Sequence, residues 1–222
     1  MNTEDVRRVW PRLLRKRIRL LCDKLKIKTY GESCLLAQGD PVKVFSKDLE
    51  SLCWAMLNIM DRTGGIGLAA QQVGRKERVC VIDTSCQWDK QTLVEQDGRD
   101  LLHQPMDDSL FPLFLVNGKI IVRSEELLEL SEGCLSIPGI YARTRRHRVV
   151  TVSYQDQWGN PHCISADGLL GHCMQHELDH NNGILFINPE RLLAEDLGKV
   201  QLLLYEQSQQ YVRAKSGRES FS

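Results

Sequence analysis

The spacing of apolar residues predicts four helices. The first begins after Pro11, and the other three cover about residues 46–65, 168–181 and 189–212. Ser46 and Asp167 are the expected N-caps of the second and third helices, because their side-chain oxygens can accept hydrogen bonds from free backbone N–H groups. Glycines are expected to end both of these helices, with Gly183 closing the third.

Runs of β-branched and apolar residues predict the strands. Residues 78–83 are typical of a buried strand, and residues 147–165 of a strand, a turn and a second strand. Residues 113–123 are predicted to form a hairpin that turns at Asn117-Gly118. An Asn-Gly pair favours the positive φ angles that a two-residue hairpin turn requires.

The order of these elements predicts an α+β fold. We expect antiparallel and mixed sheets around the helix at 168–181, with the C-terminal helix packed outside. Residues 84–110 are polar and rich in turn formers, which indicates a surface insertion. With 222 residues, 42% of them hydrophobic, the chain can build one core. We therefore expect an N-terminal extension at 1–28, one main domain at 29–213 and a flexible tail at 214–222.

The N-terminal extension is basic and amphipathic. Residues 1–28 contain ten Lys and Arg against three Asp and Glu, although the whole chain has a formal net charge of zero. Leu14, Ile18, Leu21 and Leu25 fall on one helical face, and basic residues occupy the others. Such a helix could dock on its own domain, on ribosomal RNA or on a membrane surface, and the sequence leaves all three open.

Composition restricts the compartment. No apolar run approaches the roughly 18 residues that span a bilayer, and the N-terminus lacks the pattern of a secretory signal. The eight cysteines include no CxxC pair, which argues against a disulfide framework or a zinc ribbon and favours a reducing compartment. We therefore expect a cytoplasmic protein, with organellar import as the alternative because the N-terminal segment is rich in Arg.

The segment GHCMQHELDH, residues 171–180, indicates a metal site. His172, His176 and His180 recur at intervals of four residues, so a helix would place them on one face. His176 and His180 match the HExxH pattern, whose two imidazoles can bind one divalent ion. Glu177 would then lie beside the ion, where it can act as a general base on water.

The HExxH pattern alone leaves the third ligand open. No histidine follows His180, and Glu190 and Glu195 occupy ordinary positions at the start of a helix. The ligand must come from upstream or from His172. Cys134 is an upstream candidate, since it lies beside a glycine and before a Pro-Gly turn, and its thiolate would give a Cys/His/His site.

Three motifs give the chain a family resemblance. They are GIGLAAQQ at 65–72, EGCLS at 132–136 and HELDH at 176–180. In this order they resemble the motifs of the peptide deformylases, and the similarity extends over about residues 30–205. The resemblance implies a hydrolase that removes the N-formyl group from the N-terminal methionine of new polypeptides and releases formate.

The resemblance also implies the metal centre. It makes Cys134, His176 and His180 the ligands of one divalent metal and Glu177 the general base. Members of the family typically use Fe2+, often replaced by Zn2+, Ni2+ or Co2+ after purification. The ligand set itself suits several first-row metals.

Further roles follow from the resemblance. The side-chain amide of Gln72 and the backbone N–H of Leu135 would stabilise the oxyanion that forms during hydrolysis. The backbone at Ile66 and Gly67 would pair with an extended N-formylmethionyl peptide. His172 occupies a position that lines the methionine pocket in this family. Leu169 and Cys173 are expected to form apolar walls of the same pocket, because they lie on the metal-facing part of the helix at 168–181.

His172 departs from the family pattern, which usually has an apolar residue there. It could narrow or polarise the pocket, bond to a polar P1′ side chain, replace an oxidised Cys134 as ligand, or simply pack with a hydrogen bond to a neighbour. The residue therefore keeps another N-formyl or N-acyl amine open as the substrate. A non-catalytic, ribosome-associated metal protein is a further alternative, motivated by residues 1–28. Asp179 is predicted to lie behind the metal centre, where Arg146 could pair with it.

Overall fold

A computed structural model describes residues 12–85, 94–97, 99–100 and 110–219. The helices are α1 (Arg12–Lys24), α2 (Lys47–Thr63), α3 (Gly168–His180) and α4 (Ala194–Glu219). The strands are β1 (Gly67–Ala69), β2 (Val79–Ile82), β3 (Val94–Gln96), β4 (Arg99–Asp100), β5 (Leu113–Arg123), β6 (Leu127–Cys134), β7 (Ile137–His147), β8 (Val150–Gln155) and β9 (Pro161–Ala166). Short 3-10 helices cover Ser33–Leu36 and Ala70–Val73.

Seven strands form one sheet in the order β1-β2-β5-β8-β9-β3-β4, and β6 and β7 form a second sheet of two long strands. Every pair of neighbouring strands among the described residues is antiparallel. The predicted α+β class is confirmed. The strands predicted at 78–83 and 147–165 correspond to β2, β8 and β9.

Helices cover both faces of the large sheet. Val79 and Val81 of β2 belong to the core beneath α2, whereas Cys80 and Ile82 belong to the core beneath α3. All four residues are completely buried, because successive side chains of a strand point to opposite faces and each face has its own helix. A third core lies between the β6–β7 sheet and α4, which packs on the outside as expected.

Helix α3 lies at the centre and contacts strands of both sheets. Asp167 caps its N-terminus by accepting a hydrogen bond from the backbone N–H of Gly168. Gly183, with a φ of 72°, donates its N–H to the carbonyl of His180 and closes the C-terminal turn. Ser46 likewise caps α2, where its hydroxyl accepts from the N–H of Leu49 at 3.3 Å. The predicted caps are confirmed.

Helix α1 docks on the body of the protein. Ile18 is only 4% exposed and belongs to the core beneath α2. Leu14, Leu21 and Leu25, the other members of the predicted apolar stripe, pack partly buried against the same core. Arg17 reaches Asp48 of α2 with a distance of 3.0 Å between Nη1 and Oδ1. Of the three predicted docking surfaces, the structure shows this one for the apolar face of α1.

The hairpin predicted at Asn117-Gly118 is wrong. Residues 113–123 form one strand, β5, whose first part pairs with β2 and whose second part pairs with β8. Asn117 does adopt a positive φ, 55°, but it serves a bulge rather than a turn. Its side-chain amide bonds to the backbone N–H and carbonyl of Val42 and to Oε1 of Gln155, at 2.8–2.9 Å. These distant partners override the local hairpin preference.

Two other boundaries differ from the prediction. Within residues 84–110, β3 and β4 extend the large sheet beside β9, so this part is not a simple surface loop. Residues 86–93, 98 and 101–109 of the insertion, and 220–222 of the predicted tail, lie outside the described residues. The last helix begins at Ala194 and runs to Glu219 rather than covering 189–212.

In the described part of the chain, no helix combines the length and apolarity needed to span a bilayer.

We expect Ile18→Ala to lower the free energy of unfolding by about 2–5 kcal/mol, because it removes a buried side chain from the core shared with α2. Leu20→Ala is the matched control, since Leu20 is 50% exposed on the same helix. Its effect should stay within about 0.5 kcal/mol. Equilibrium urea unfolding measures both. Equal, small effects would mean that α1 does not contribute to the folded core.

Candidate active site

Cys134, His176 and His180 converge at the end of β6 and on one face of α3. One potential ligand atom from each lies within 4.8 Å of the other two, and Cys134 Sγ is 3.4 Å from His180 Nε2. A tetrahedral ion with bonds of about 2.3 Å to sulfur and about 2.0 Å to nitrogen would place two such atoms about 3.5 Å apart. The observed spacing therefore fits a metal shared by these residues, and the predicted ligand set is brought together.

Local geometry explains this convergence. Cys134 is the last residue of β6, and Leu135 and Ser136 form the tight connection to β7. The two histidines are four residues apart on α3, so their rings lie on neighbouring turns with centroids 5.0 Å apart. Burial lowers the pKa of His180 well below its usual value, so this ring is neutral, as metal binding requires.

Glu132 orients His176. Its Oε2 is 2.8 Å from His176 Nδ1, which donates the hydrogen bond and leaves Nε2 available to a metal. The pKa of His176 is raised well above its usual value, because hydrogen bonds with Cys134 and Glu132 outweigh the opposing effect of burial.

Glu132 is itself held by buried partners. Burial opposes its ionisation, but hydrogen bonds from His172, His176 and Arg146 outweigh burial and hold its pKa far below the usual value. Arg146 donates from Nε to Oε1 and from Nη2 to Oε2, the second at 3.0 Å. Its Nη1 reaches Asp179 Oδ2 at 2.7 Å, which confirms the predicted pair behind the metal centre.

Glu177 faces the same centre and is 3% exposed. Burial raises the pKa of its carboxyl to about 7. Its Oε2 is buried and has no hydrogen-bond partner among the described protein atoms. Gly67 packs directly against it: a Cβ at position 67 would collide with Glu177 Oε1 and lie 2.8 Å from Cys173 Sγ. A glycine is therefore required at 67 for the carboxylate to occupy this place.

Gln72 points its amide nitrogen at the centre. Its Oε1 accepts from the backbone N–H of Ala69 at 2.7 Å, which fixes the orientation of the amide. Its Nε2 is consequently directed to Cys134 Sγ at 3.3 Å and to Ser136 Oγ at 3.4 Å. A buried N–H donor thus lies next to the candidate metal, as the oxyanion role requires.

A cavity of about 530 Å3 opens beside these groups. The predicted catalytic and substrate-contacting residues all line it: Ile66, Gly67, Gln72, Leu135, Leu169, His172, Cys173 and Glu177. Cys134 and His176 also face the cavity, whereas His180 lies behind them. Its size falls within the roughly 300–1,000 Å3 typical of small-ligand sites.

His172 lies in the wall of this cavity and is 3% exposed. Its Nε2 is 2.5 Å from Glu132 Oε1 and 3.0 Å from Thr144 Oγ1. Its Nδ1 is buried without a partner among the described protein atoms. Among the described residues, the group of converging potential ligands consists of Cys134, His176 and His180 and does not include His172.

Glu132 and Thr144 were not among the predicted site residues. The period of a strand could have identified both, because alternate residues share a face. Glu132 shares its face of β6 with Cys134, and Thr144 shares its face of β7 with Arg146. The Thr144 hydroxyl donates to Glu132 Oε1 at 2.7 Å.

Comparisons with known proteins identify the family of the chain. A sequence model of the polypeptide deformylase family matches residues 24–194. The peptide deformylase of Opitutus terrae is 39% identical over 165 residues, covering 74% of this chain and 83% of the relative. That of Erythrobacter litoralis is 43% identical over 151 residues, covering 65% of this chain and 76% of the relative.

Solved structures give the same result. A peptide deformylase from Synechococcus elongatus has a TM-score of 0.65 at 35% identity, with 79% of this chain and 82% of that chain covered. One from Plasmodium falciparum has a TM-score of 0.69 at 30% identity, with 85% and 98% covered. The chain therefore belongs to the polypeptide deformylase family, and it is a hydrolase of the peptide deformylase type.

Proposed function

We propose that this enzyme removes the formyl group of N-formylmethionyl peptides with Glu177 as the proton carrier and Gln72 and Leu135 as oxyanion donors. The observation that carries the proposal is the convergence of three potential ligands, a buried carboxylate and an oriented amide on one cavity. No other reaction class is needed to account for these groups together. The products would be formate and a peptide with a free N-terminal amine.

Cys134, His176 and His180 would hold one divalent metal per chain. The thiolate and two imidazoles suit several first-row ions, and the family resemblance favours Fe2+, with Zn2+, Ni2+ or Co2+ able to replace it. When bound, such an ion supplies Lewis acidity, which lowers the pKa of water and polarises a carbonyl group.

Glu177 moves the proton. With a pKa raised to about 7 by burial in the metal-free protein, its carboxyl is better suited to exchanging a proton near neutral pH than an ordinary glutamate. It takes a proton from the attacking water and returns it to the leaving amine as the C–N bond breaks. Its Oε2 has no hydrogen-bond partner among the described protein atoms, which leaves a carboxylate oxygen available for this exchange.

Gln72 and Leu135 stabilise the charge that develops on the formyl oxygen. Gln72 Nε2 already faces this region, because the N–H of Ala69 prevents the amide from turning round. The backbone N–H of Leu135 comes from the tight β6–β7 connection beside Cys134. Donors fixed before the reaction need no reorganisation during it, and one such donor is typically worth about 10²–10³-fold in kcat.

The peptide would bind along β1. This strand is at the edge of the large sheet among the described strands, and it pairs only with β2. Gly67 of β1 and the preceding residue Ile66 both line the cavity, so an extended peptide could add to the open edge as a further strand. The P1′ side chain would then lie against Leu169, His172 and Cys173.

A cytoplasmic location is supported by the eight cysteines, which include no CxxC pair, with organellar import as the alternative. A ribosomal contact through residues 1–28 is supported by their basic charge.

We expect Glu177→Gln to lower kcat for formyl-Met-Ala-Ser by about 10²–10⁴-fold, because it removes the proton carrier while keeping the shape of the side chain. The metal content per chain should be unchanged, since Glu177 is not a ligand. Formate release by anaerobically prepared, Fe2+-loaded protein and elemental analysis measure the two quantities. Glu190→Gln, at an exposed position outside the cavity, is the control and should retain parental turnover. Parental turnover in Glu177→Gln would refute the assigned role.

A second candidate function is favoured by His172. Its Nε2 carries the hydrogen, because both neighbours of this atom can only accept one. They are the Glu132 carboxylate and the Thr144 hydroxyl, which already donates its own hydrogen to that carboxylate. In the neutral ring Nδ1 is then an acceptor, and it has no partner among the described protein atoms. A P1′ side chain with an N–H or O–H donor could satisfy it, whereas methionine could not. The enzyme would then also deformylate peptides with polar first residues.

We expect His172→Ile to raise the ratio of kcat/KM for formyl-Met-Ala-Ser to that for formyl-Gln-Ala-Ser by roughly tenfold. Glutamine has nearly the shape of methionine but carries an N–H donor, and a lost buried hydrogen bond costs about 1–3 kcal/mol. Formate release with the two peptides gives the ratio. An unchanged ratio would assign His172 a packing role only, without affecting the test of Glu177.

A further inference from the structure

A second cavity, of about 430 Å3, borders a different face of α3. It lies between this helix and β5 and shares no lining residue with the catalytic cavity. Its ionised lining consists of five cations and one carboxylate: Arg78, Lys119, Arg123, Arg146, Arg191 and Asp179. His147 also lines it, and its Nδ1 is 2.7 Å from the carbonyl oxygen of Ser124.

Two of the five cations are already neutralised. Arg146 bridges Asp179 and Glu132, while Arg191 Nη2 is 2.9 Å from Asp179 Oδ1. Two guanidinium groups therefore balance two carboxylates. Asp179 has both of its oxygens occupied, so it does not compensate further positive charge at this cavity.

The other three cations have no acidic partner among the described residues. Lys119 and Arg123 project from β5 at exposed positions, and the structure shows no ion pair for either. Arg78 donates from Nη2 to the neutral amide of Asn182 at 2.9 Å. Its Nε is buried and lacks a hydrogen-bond acceptor among the described protein atoms. A buried donor without an acceptor is costly unless a ligand or water completes it.

We infer that this cavity binds a small phosphate-bearing anion. Arginine presents several N–H donors in a plane that matches phosphate oxygens, and lysine adds a point charge. Three uncompensated cations around a concave space suit a dianionic phosphate group better than a singly charged ion. The cavity volume is that of a small-molecule site, which favours a free phosphate or a phosphate ester over the backbone of a long nucleic acid.

The test uses the full-length, metal-loaded protein and isothermal titration calorimetry. The probes are inorganic phosphate and adenosine 5′-monophosphate, at an ionic strength held constant with chloride. Lys119→Ala/Arg123→Ala removes two of the cations at exposed positions, so the fold should persist. Arg62→Ala/Lys76→Ala removes the same charge from exposed positions outside the cavity and is the matched control. Lys119→Arg/Arg123→Lys keeps both charges.

We expect saturable binding that is weakened at least tenfold in Lys119→Ala/Arg123→Ala, because each charge-assisted hydrogen bond contributes about that factor. The control and charge-conserving variants should stay within about threefold of the parent protein. Equal affinity for both probes would assign the cavity to inorganic phosphate. Tighter binding of the nucleotide would assign the cavity to a phosphate ester. No saturable binding, or binding that Lys119→Ala/Arg123→Ala retains, would overturn the inference. The latter result would place the anion at the catalytic metal or elsewhere.

Discussion

The buried carboxylate of Glu132 connects the β6–β7 hairpin to α3. An ionised carboxylate in this position would cost several kcal/mol without partners, and removing one partner of a buried ion pair typically costs about 3–5 kcal/mol. Arg146 offsets that cost from the neighbouring strand, and His172 and His176 offset it from the helix. The hairpin and the helix therefore cannot shift independently. Because Cys134 follows Glu132 by two residues, this constraint also sets the distance between Cys134 Sγ and the histidine rings.

The site results from combining two periods. Strand alternation places Glu132 and Cys134 on one face of β6, and the helical repeat places His172 and His176 on one face of α3. Where these two faces meet, Glu132 bonds to both histidines, and Cys134 and His176 can reach a metal. The tight connection at Leu135 ends the strand at the cavity, so that the candidate ligand Cys134 and the backbone N–H of Leu135 come from adjacent residues.

The sequence predicted those features whose signals are local or belong to a motif. The caps at Ser46 and Asp167 and the strand alternation around residues 147–165 depend on neighbours in the chain, and they were predicted well. The turn at Asn117 was predicted wrongly because its amide finds Val42, 75 residues away, and the positive φ serves a bulge. The role of Glu132 was missed for the same reason: every partner that makes a buried carboxylate acceptable comes from another element.

The same carboxylate explains why two histidines one helical turn apart have different roles. His176 gives Nδ1 to Glu132 and keeps Nε2 for the cluster with Cys134, whereas His172 gives Nε2 to Glu132 and keeps Nδ1. A ring held through Nε2 cannot also present that atom to a metal, which is why His172 stays outside the ligand group despite its spacing. Both residues are histidines on the same face of α3, so neither residue type nor helical spacing distinguishes them. The nitrogen that faces the carboxylate decides which ring can bind a metal and which ring only lines the cavity.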